Sequence, residues 1–388
     1  MLQRLFIFLL IFLILPDIFL YCRFIIRITK NLFLRCLYWV PSILLTAGLL
    51  YLIYFASKDF TGTHAQAIGW YSIFFFLCMA PKLILTFCTL IGMPFHKWLR
   101  WPRSPFIYTG LTLGIASMVM ILYGSFIGRT QFDVKEVTYT SSRLPQAFDR
   151  YRIVQLSDMH IGSWQGNAEA IQRLVDLVNA QHPDLIVFTG DLVNNRAIEL
   201  KDFQSVLSQL KARDGVYSVL GNHDYGPYHH WKNQQEMEDN LNSLKETEAA
   251  MGWQLLNNTH TILLQGNDSI ALIGVENEGE PPFSQYGDLP KAMKGTENMF
   301  QILLSHNPSH WRREVLPQSN VDLTLAGHTH AMQVKFGNYS PASYIYPEWG
   351  GLYLEGTRGL YVNVGIGYIG LPFRFGAWPE ITVLTLRR

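Results

Sequence analysis

Cysteine is scarce in this chain and unevenly placed. The four cysteines among 388 residues are Cys22, Cys36, Cys78 and Cys88, all in the first third. Residues 129–388 contain none, which excludes a disulfide framework and a cysteine-based zinc site there.

Acidic residues are nearly missing from the N-terminal part. Residues 1–128 contain 10 Lys/Arg and 2 Asp/Glu, whereas residues 129–388 contain 21 and 28. The formal net charge of +1 therefore hides a basic part and an acidic part. Because a nucleic-acid groove needs a basic stripe, the acidic part indicates that nucleic acid is not a partner.

Long apolar runs dominate the N-terminal part. Four of them approach or exceed the ~20 residues that cross a bilayer: Leu5–Phe24, Leu37–Ala56, Ala67–Met93 and Ser104–Ile127. No small-residue cleavage site follows the first run, so we interpret it as uncleaved. We predict a transmembrane region of about four helices at 1–128, which makes the lipid bilayer a partner. A polar connector at 129–150 and a second domain at 151–388 follow.

Asp17 and Lys82 are unusual within these apolar runs. Each follows a proline, and an ionisable side chain at membrane depth is costly. We expect each to lie at a helix end or kink from which the side chain reaches water.

The C-terminal part alternates predicted strands with predicted helices. The strands are Arg152–Ser157, Asp184–Thr189, Val216–Leu220, Ile270–Val275, Gln301–Ser305, Asp322–Ala326, Leu360–Val364 and Ile381–Leu386. One helix follows Asn167, and another covers about Gln234–Met251. This order indicates an α/β sandwich with a mixed sheet, in which ligands bind beyond the carboxyl ends of strands.

Five polar clusters follow these strands directly. They are Asp158-Met159-His160, Gly190-Asp191, Gly221-Asn222-His223-Asp224, His306, and Gly327-His328-Thr329-His330. Carboxylates, an amide and imidazoles on loops form a ligand inventory for two divalent metal ions that hold an activated water. The expected chemistry is hydrolysis of a phosphoester.

Spacing within the clusters supports metal binding. Asp158 and His160 are two residues apart after a strand, so both side chains can face one ion, and His328 and His330 repeat this spacing. The carboxylate of Asp191 has two oxygens and can bridge two metals.

The third cluster, around Asn222, offers other kinds of groups. Asn222 offers a neutral oxygen ligand. His223 is expected to face the leaving group, and Asp224 to orient its ring.

Together these motifs resemble the calcineurin-like metallophosphoesterase superfamily. The similarity runs from about Tyr151 to the C-terminus and is greatest to the membrane-anchored bacterial branch. It implies a four-layer αββα sandwich and a binuclear metal centre. By this resemblance, one ion is held by Asp158, His160, Asp191 and His330. The second is held by Asp191, Asn222, His306 and His328, and His223 is catalytic with Asp224 behind it.

Two positions depart from the family pattern. Ala331-Met332 stands where relatives often have two glycines, and Val364 precedes Gly365 where an arginine is expected. Both concern the expected substrate mouth, and the sequence assigns no substrate-binding residue.

Three functions remain open at this stage. The leading hypothesis is a membrane-anchored phosphoesterase with two divalent ions (Mn, Fe or Zn), acting on a mono-, di- or pyrophosphate ester. A narrower version is a lipid-linked phosphoester hydrolase, such as the UDP-2,3-diacylglucosamine pyrophosphatase of lipid A synthesis. The non-enzymatic alternative is a membrane sensor or scaffold that binds phosphate groups.

An aromatic-rich segment follows the histidine pair. It contains Tyr339, Tyr344, Tyr346, Trp349 and Tyr353. Since Tyr and Trp favour membrane interfaces, we expect this segment to contact lipid or a lipid-linked phosphoester, with packing under the sheet as the alternative.

Loop charge predicts the membrane orientation. The first loop (23–35) carries four Lys/Arg and the third (97–103) carries three. Positive loops stay in the cytoplasm, so both termini and the second domain should be extracytoplasmic. A reporter that works only outside the cytoplasm, fused after Arg388, should be active. Activity of only a cytoplasmic reporter at that position would reverse the orientation.

Overall fold

The structure is a computed structural model that describes residues 2–56 and 63–388. The predicted second loop, with Lys58 and Asp59, lies outside the described residues. The chain forms two compact units. Unit 1 comprises Met1–Ile127 and Gly370–Phe373, and unit 2 comprises Gly128–Ile369 and Arg374–Arg388.

Unit 1 is helical. Its helices are α1 (Leu2–Leu20), α2 (Ile26–Ile28), α3 (Leu32–Ala56), α4 (Thr63–Leu99) and α5 (Ser104–Phe126), with a π-helical stretch (Tyr21–Ile25) between α1 and α2. Among the described residues, three stretches are long and apolar enough to cross a membrane: Leu32–Leu52, Ala67–Leu99 and Ser104–Thr130. Helices satisfy their backbone groups internally, which a bilayer requires. α1 occupies the first predicted span but is not among these three stretches.

A buried polar cluster joins three of these helices. Asp17 of α1 is 0% exposed, and its carboxylate pairs with Lys82 Nζ of α4 at 2.7 Å. Ser42 Oγ and Tyr38 OH of α3 donate hydrogen bonds to the same carboxylate, and Lys82 Nζ donates to Ser42 Oγ at 2.9 Å. The expectation that the side chain reaches water is therefore wrong for Asp17, whereas the Lys82 side chain is 18% exposed while it pairs with Asp17.

The cluster lies deep in the helical unit. Asp17 is twelve residues before the turn at 29–31, and Ser42 is eleven residues after it. At a rise of ~1.5 Å per residue, both lie about 16–18 Å from that turn.

Removing one partner of this ion pair should destabilise the helical unit. Lys82→Met leaves the Asp17 carboxylate uncompensated, at a cost of about 3–5 kcal/mol, whereas Asp17→Asn/Lys82→Met together should recover most of that loss. Thermal unfolding in detergent measures both, with Lys97→Met at an exposed helix end as the matched control. If Lys82→Met costs no more than Lys97→Met, the pair does not hold the helices together.

Unit 2 contains two six-stranded mixed sheets. The strands are β1 (Asp133–Thr140), β2 (Arg152–Leu156), β3 (Leu185–Phe188), β4 (Val216–Ser218), β5 (Trp253–Leu255), β6 (Thr259–Gln265), β7 (Asp268–Gly274), β8 (Phe300–Leu304), β9 (Leu323–Ala326), β10 (Gly351–Glu355), β11 (Arg358–Val362) and β12 (Glu380–Arg387). The first sheet has the order β1-β12-β2-β3-β4-β5, and the second has the order β10-β11-β9-β8-β7-β6.

The helices of unit 2 cover the outer faces of the sheets. They are α6 (Ala168–Asn179), α7 (Gln204–Leu207), α8 (Gln234–Ala250), α9 (Leu289–Met293) and α10 (Leu316–Gln318). Ile153 of β2 packs between the sheets with Ile302 of β8, while the next residue, Val154, packs outward with Leu174 of α6. On the other side, Leu303 packs with Leu289 and Trp311. Alternating side chains of a strand face opposite sides, so both faces are buried and the four-layer αββα sandwich is confirmed.

All eight predicted strands are present, but four strands were not predicted. These are β1, β5, β6 and β10. β1 lies inside residues 129–150, which the sequence predicts as a polar connector, and it pairs in parallel with β12. The connector prediction is wrong there because β1 is an edge strand whose polar residues are partly exposed, so it lacks an apolar run.

The strand directions place the polar clusters together. β2, β3 and β4 are mutually parallel, as are β8 and β9. Their carboxyl ends therefore lie at common sheet edges, and the loops that follow these five strands carry the predicted metal ligands.

Candidate metal centre

The ligand-bearing loops have strained backbones. Asp158, His160, Asp191, His328 and His330 all have positive φ, between 45° and 74°. This left-handed region costs a non-glycine residue about 1–2 kcal/mol. Such strain concentrates at functional sites, where the surrounding structure holds it.

Asp224 holds these loops together. Its Oδ2 accepts hydrogen bonds from the backbone N–H groups of Asp191 and Gly221, each at 2.8 Å, and its Oδ1 accepts from Val193 N–H at 3.1 Å. The His223 ring is instead oriented by the carbonyl oxygen of Asn194, 2.7 Å from Nδ1. Asp224 therefore anchors these loops. The Asn194 carbonyl, and not Asp224 as expected, orients the His223 ring.

One group of candidate ligands consists of Asp158, His160 and His330. His330 Nε2 is 3.3 Å from Asp158 Oδ1 and 3.1 Å from His160 Nε2. The backbone N–H of His328 donates to both Asp158 oxygens, at 3.0 and 2.9 Å. This contact fixes the Asp158 carboxylate toward the histidine pair.

A second group consists of Asp191, His306 and His328. Asp191 Oδ2 is 3.3 Å from His306 Nε2 and also 3.6 Å from His160 Nε2 in the first group. The same oxygen therefore lies between the two groups. His160, Asp191 and His223 form a third combination of converging ligand atoms.

Hydrogen bonds select the ligand atoms of two histidines. His306 donates Nδ1–H to the Thr189 carbonyl at 2.7 Å, which leaves the Nε2 lone pair for a metal. His328 has the opposite arrangement, with Nδ1 facing His306 Nε2 at 3.2 Å and Nε2 facing Tyr346 OH at 3.2 Å.

Two buried polar atoms test whether the site fits a cation. His160 Nδ1 and Asn222 Oδ1 are buried without a hydrogen-bond partner, which native structures normally avoid. Asn222 lines the same cavity as Asp191, His223, His328 and His330. An unpartnered amide oxygen beside carboxylates and imidazoles suits Mn, Fe or Zn, so the residues present fit the implied metals.

Electrostatics favour the protonation states that metal binding needs. Burial alone would raise the pKa of Asp191, but nearby His306 and His223 hold it well below the usual range. Burial lowers the pKa of His328 to about 3, with the charge of His306 adding to the effect, and burial also lowers the pKa of His160. Ionised carboxylates and neutral imidazoles are the ligand forms of these groups.

His306 differs from the other histidines. Burial alone lowers its pKa, but the Asp191 carboxylate outweighs that effect and raises the pKa to about 9. The imidazole therefore balances the charge of the carboxylate by holding a proton. A metal ion bound there would replace that proton.

A cavity of about 350 Å³ opens above these side chains. It is lined by Asp191, Asn222, His223, Phe283, His328, Thr329, His330, Met332, Gln333, Tyr346 and Ile369. Both ligand-type residues and aromatic or apolar side chains line it, a combination typical of ligand sites.

Arg374 was not found by sequence reasoning. It is 0% exposed, and its guanidinium donates to the carbonyl oxygens of Val364, Gly367 and Ala377 and faces His330 Nδ1 at 3.0 Å. Burial lowers its pKa to about 10, so it stays charged at neutral pH. No motif marks this residue, but it places an arginine beside the loop in which Val364 replaces the expected one.

Residues of the aromatic-rich segment differ in their exposure to solvent. Tyr344 is 81% exposed and its neighbour Ile345 is 60% exposed. Trp349 instead packs against the buried cluster of Ala331, Val364 and Ala377.

Replacing Asp191 should disturb both proposed metal positions. Asp191→Asn removes the charge of the oxygen that lies between the two ligand groups, so metal content should fall and turnover should drop by more than the 10–100-fold typical of losing an outer-shell partner. Metal analysis and phosphodiester turnover measure this, with exposed Asp202→Asn as the control. Wild-type metal content together with wild-type turnover in Asp191→Asn would exclude the bridging role.

Comparison with known proteins agrees with this architecture. A family model described as "Calcineurin-like phosphoesterase" matches residues 151–332. Another, "Probable Calcineurin-like phosphoesterase, transmembrane domain", matches residues 3–129.

Similar proteins occur in animals and bacteria. The chain is 30% identical over 339 residues to a "Transmembrane protein with metallophosphoesterase domain" of Danio rerio, covering 82% of this chain and 74% of that protein. It is 32% identical over 276 residues to the Bacillus subtilis metallophosphoesterase YkuE, covering 68% and 89%. A Campylobacter jejuni metallophosphoesterase, Cj0846, is 26% identical over 390 residues, covering 96% and 95%. The chain therefore belongs to the calcineurin-like metallophosphoesterase family, as a membrane protein whose second unit is a metal-dependent phosphoric ester hydrolase.

Proposed function

We propose that this protein hydrolyses a phosphoester at a two-metal centre beside the membrane. Asp158, His160, Asp191 and His330 would hold one divalent ion, and Asp191, Asn222, His306 and His328 the other. The observation that carries the proposal is the position of Asp191 Oδ2 between the two groups, 3.6 Å from His160 Nε2 and 3.3 Å from His306 Nε2.

Bound divalent ions would supply an activated water and stabilise charge on the phosphoryl oxygens. The chain's own residues supply orientation and a proton. Because the Asn194 carbonyl holds Nδ1–H of His223, Nε2 is the atom left to exchange a proton, and it can protonate the leaving oxygen.

Neighbouring rings fix the plane of His223. The His160 ring packs edge-on against the His223 ring, with centroids 4.7 Å apart. The Tyr228 ring also packs on His223, with centroids 4.5 Å apart. A general acid held in one orientation loses little freedom when the substrate binds.

Loss of His223 should slow poor leaving groups most. His223→Ala should reduce turnover of diphenyl phosphate by about 100-fold or more, but turnover of bis(p-nitrophenyl) phosphate much less, because nitrophenolate leaves without a proton. Steady-state kinetics on the metal-loaded protein measure this, with exposed His230→Ala as the control.

The same experiment separates enzyme from sensor. An equal loss on both substrates would remove the acid role of His223. A wild-type protein that retains its metal but turns over no phosphoester would favour the alternative of a phosphate-binding sensor or scaffold.

We also propose that α1 is a fourth membrane span. The transmembrane family model begins at residue 3, and the paired Asp17 gives α1 a partner in α4. With four spans and positive first and third loops, the hydrolase unit works outside the cytoplasm. This orientation disfavours a cytoplasmic lipid A step.

A lipid-linked substrate is the narrower proposal. Tyr344 and Ile345 are strongly exposed and belong to the segment that brings Tyr346 to the cavity. Exposed apolar side chains near a site mouth favour a lipid-bearing ligand.

Ile345→Ser should therefore lower activity on a phosphoester lipid in vesicles and spare a soluble aryl diester. Each lost apolar side chain removes about 1–2 kcal/mol of burial, or roughly tenfold in vesicle activity. Leu264→Ser, at a 69% exposed position of β6, is the matched control. Equal losses on both substrates would count against lipid contact.

A further inference from the structure

The cavity wall contains imidazoles, but none of the described residues that line it is a lysine or an arginine. Arg374 is close to His330, but it lies fully buried behind that ring and its guanidinium is engaged by three carbonyl groups. Phosphate-binding sites commonly use Arg or Lys in addition to metals, so this wall must recognise phosphate by other donors.

Tyr346 offers one such donor. If His328 contributes Nδ1 to a metal, its Nε2 carries the hydrogen and donates it to Tyr346 OH, 3.2 Å away. The phenol then accepts from His328, and its own O–H is left to donate into the cavity that Tyr346 lines.

The segment around Tyr346 is anchored on both sides. Tyr346 N–H donates to the Ala342 carbonyl at 2.8 Å, and Ser340 Oγ donates to the Ala331 carbonyl at 2.6 Å. Further along, Thr329 Oγ1 donates to the Trp349 carbonyl at 2.6 Å. The phenol is therefore held in place before a ligand arrives.

Tyr228 makes a similar contact with the candidate ligand Asn222. Asn222 Nδ2 donates to Tyr228 OH at 3.2 Å, while Asn222 Oδ1 remains for a cation. Tyr228 also packs on the ring of His223. Tyr228 is 50% exposed and is not among the residues that line the cavity, but its contacts with Asn222 and His223 bring its O–H beside two residues that do line it.

We propose that Tyr228 and Tyr346 donate their phenolic hydrogens to the non-bridging oxygens of a singly charged phosphodiester, and that the site selects diesters over monoesters and pyrophosphates. The proposal rests on the proposed function, since it needs a phosphoester between the metal ligands and His223. It names the substrate class that the motifs leave open.

Charge explains the selectivity. A phosphodiester carries one negative charge, whereas a monoester carries about −1.5 to −2 at neutral pH. Neutral phenols can hydrogen-bond a monoanion, but they cannot offset a second charge as Arg or Lys would.

The apolar part of the wall suits the second substituent of a diester. Phe283, Met332 and Ile369 also line the cavity, and the Phe283 ring packs edge-on to His328 with centroids 4.7 Å apart. A monoester has no second organic group to cover this surface, and a pyrophosphate would place charge against it.

The test removes each hydroxyl and keeps the ring. Tyr346→Phe and Tyr228→Phe should each weaken binding of diphenyl phosphate by about tenfold, measured by calorimetry on the metal-loaded protein. Metal content should be unchanged. Tyr286→Phe, which alters an exposed phenol outside the cavity wall, is the control.

A second variant adds the missing charge. Met332→Lys should raise kcat/KM for p-nitrophenyl phosphate relative to bis(p-nitrophenyl) phosphate by about tenfold, and Met332→Leu should not. Wild-type protein should prefer the diester.

The outcomes separate the two proposals. Wild-type protein that prefers the monoester, or phenylalanine variants that bind diphenyl phosphate normally, would overturn the phosphodiester inference and leave hydrolysis standing. Metal-loaded wild-type protein that hydrolyses neither substrate would overturn the proposed function, and the inference with it.

Discussion

The site depends on one electrostatic constraint, which is the convergence of buried carboxylates and imidazoles on Asp191. A buried carboxylate is stable only when opposite charge or hydrogen-bond donors compensate it. Asp191 Oδ1 accepts a hydrogen bond from the backbone N–H of His223 at 2.8 Å, whereas Oδ2 lies 3.6 Å from His160 Nε2 and 3.3 Å from His306 Nε2. Either protons or cations must therefore balance this oxygen. The raised pKa of His306 corresponds to balance by a proton, and a bridging metal is the balance that we propose for the active protein.

That constraint accounts for the strain in the surrounding loops. Five candidate ligand residues adopt left-handed backbone conformations, and three backbone N–H groups converge on Asp224. A carboxylate buried beneath the ligand loops is a firm anchor because each lost hydrogen bond would leave a buried donor unsatisfied. Asp224 thus fixes the positions of the loops that carry Asp191 and Asn222. This anchoring explains why an aspartate ends the Gly-Asn-His-Asp sequence better than a contact with the His223 ring does.

The strands and the ligand clusters could be predicted because both leave local marks in the sequence. Apolar runs such as Ile186-Val187-Phe188 identify strands that are buried on both faces, and each cluster follows such a run directly. The edge strand β1 leaves no such mark, since Lys135 and Glu136 reach solvent or a partner on another strand. Arg374 was unpredictable for a related reason. Its partners are mostly backbone carbonyls brought near by folding, and no residue pattern encodes them.

The helices of unit 1 are also joined by residues that are distant in the chain. No sequence pattern around Asp17 predicts its contact with Lys82, which is 65 residues away, yet the two charges form an ion pair between α1 and α4. The hydrolase cavity is different, because no lysine or arginine is among the described residues of its wall, and Tyr346 OH lies 3.2 Å from Nε2 of the candidate ligand His328. Both contacts join side chains from different segments of the chain. If Tyr346 accepts a hydrogen bond from His328, its own hydrogen is left for a bound phosphoester, and the proposed metal ions would then supply the positive charge of the site.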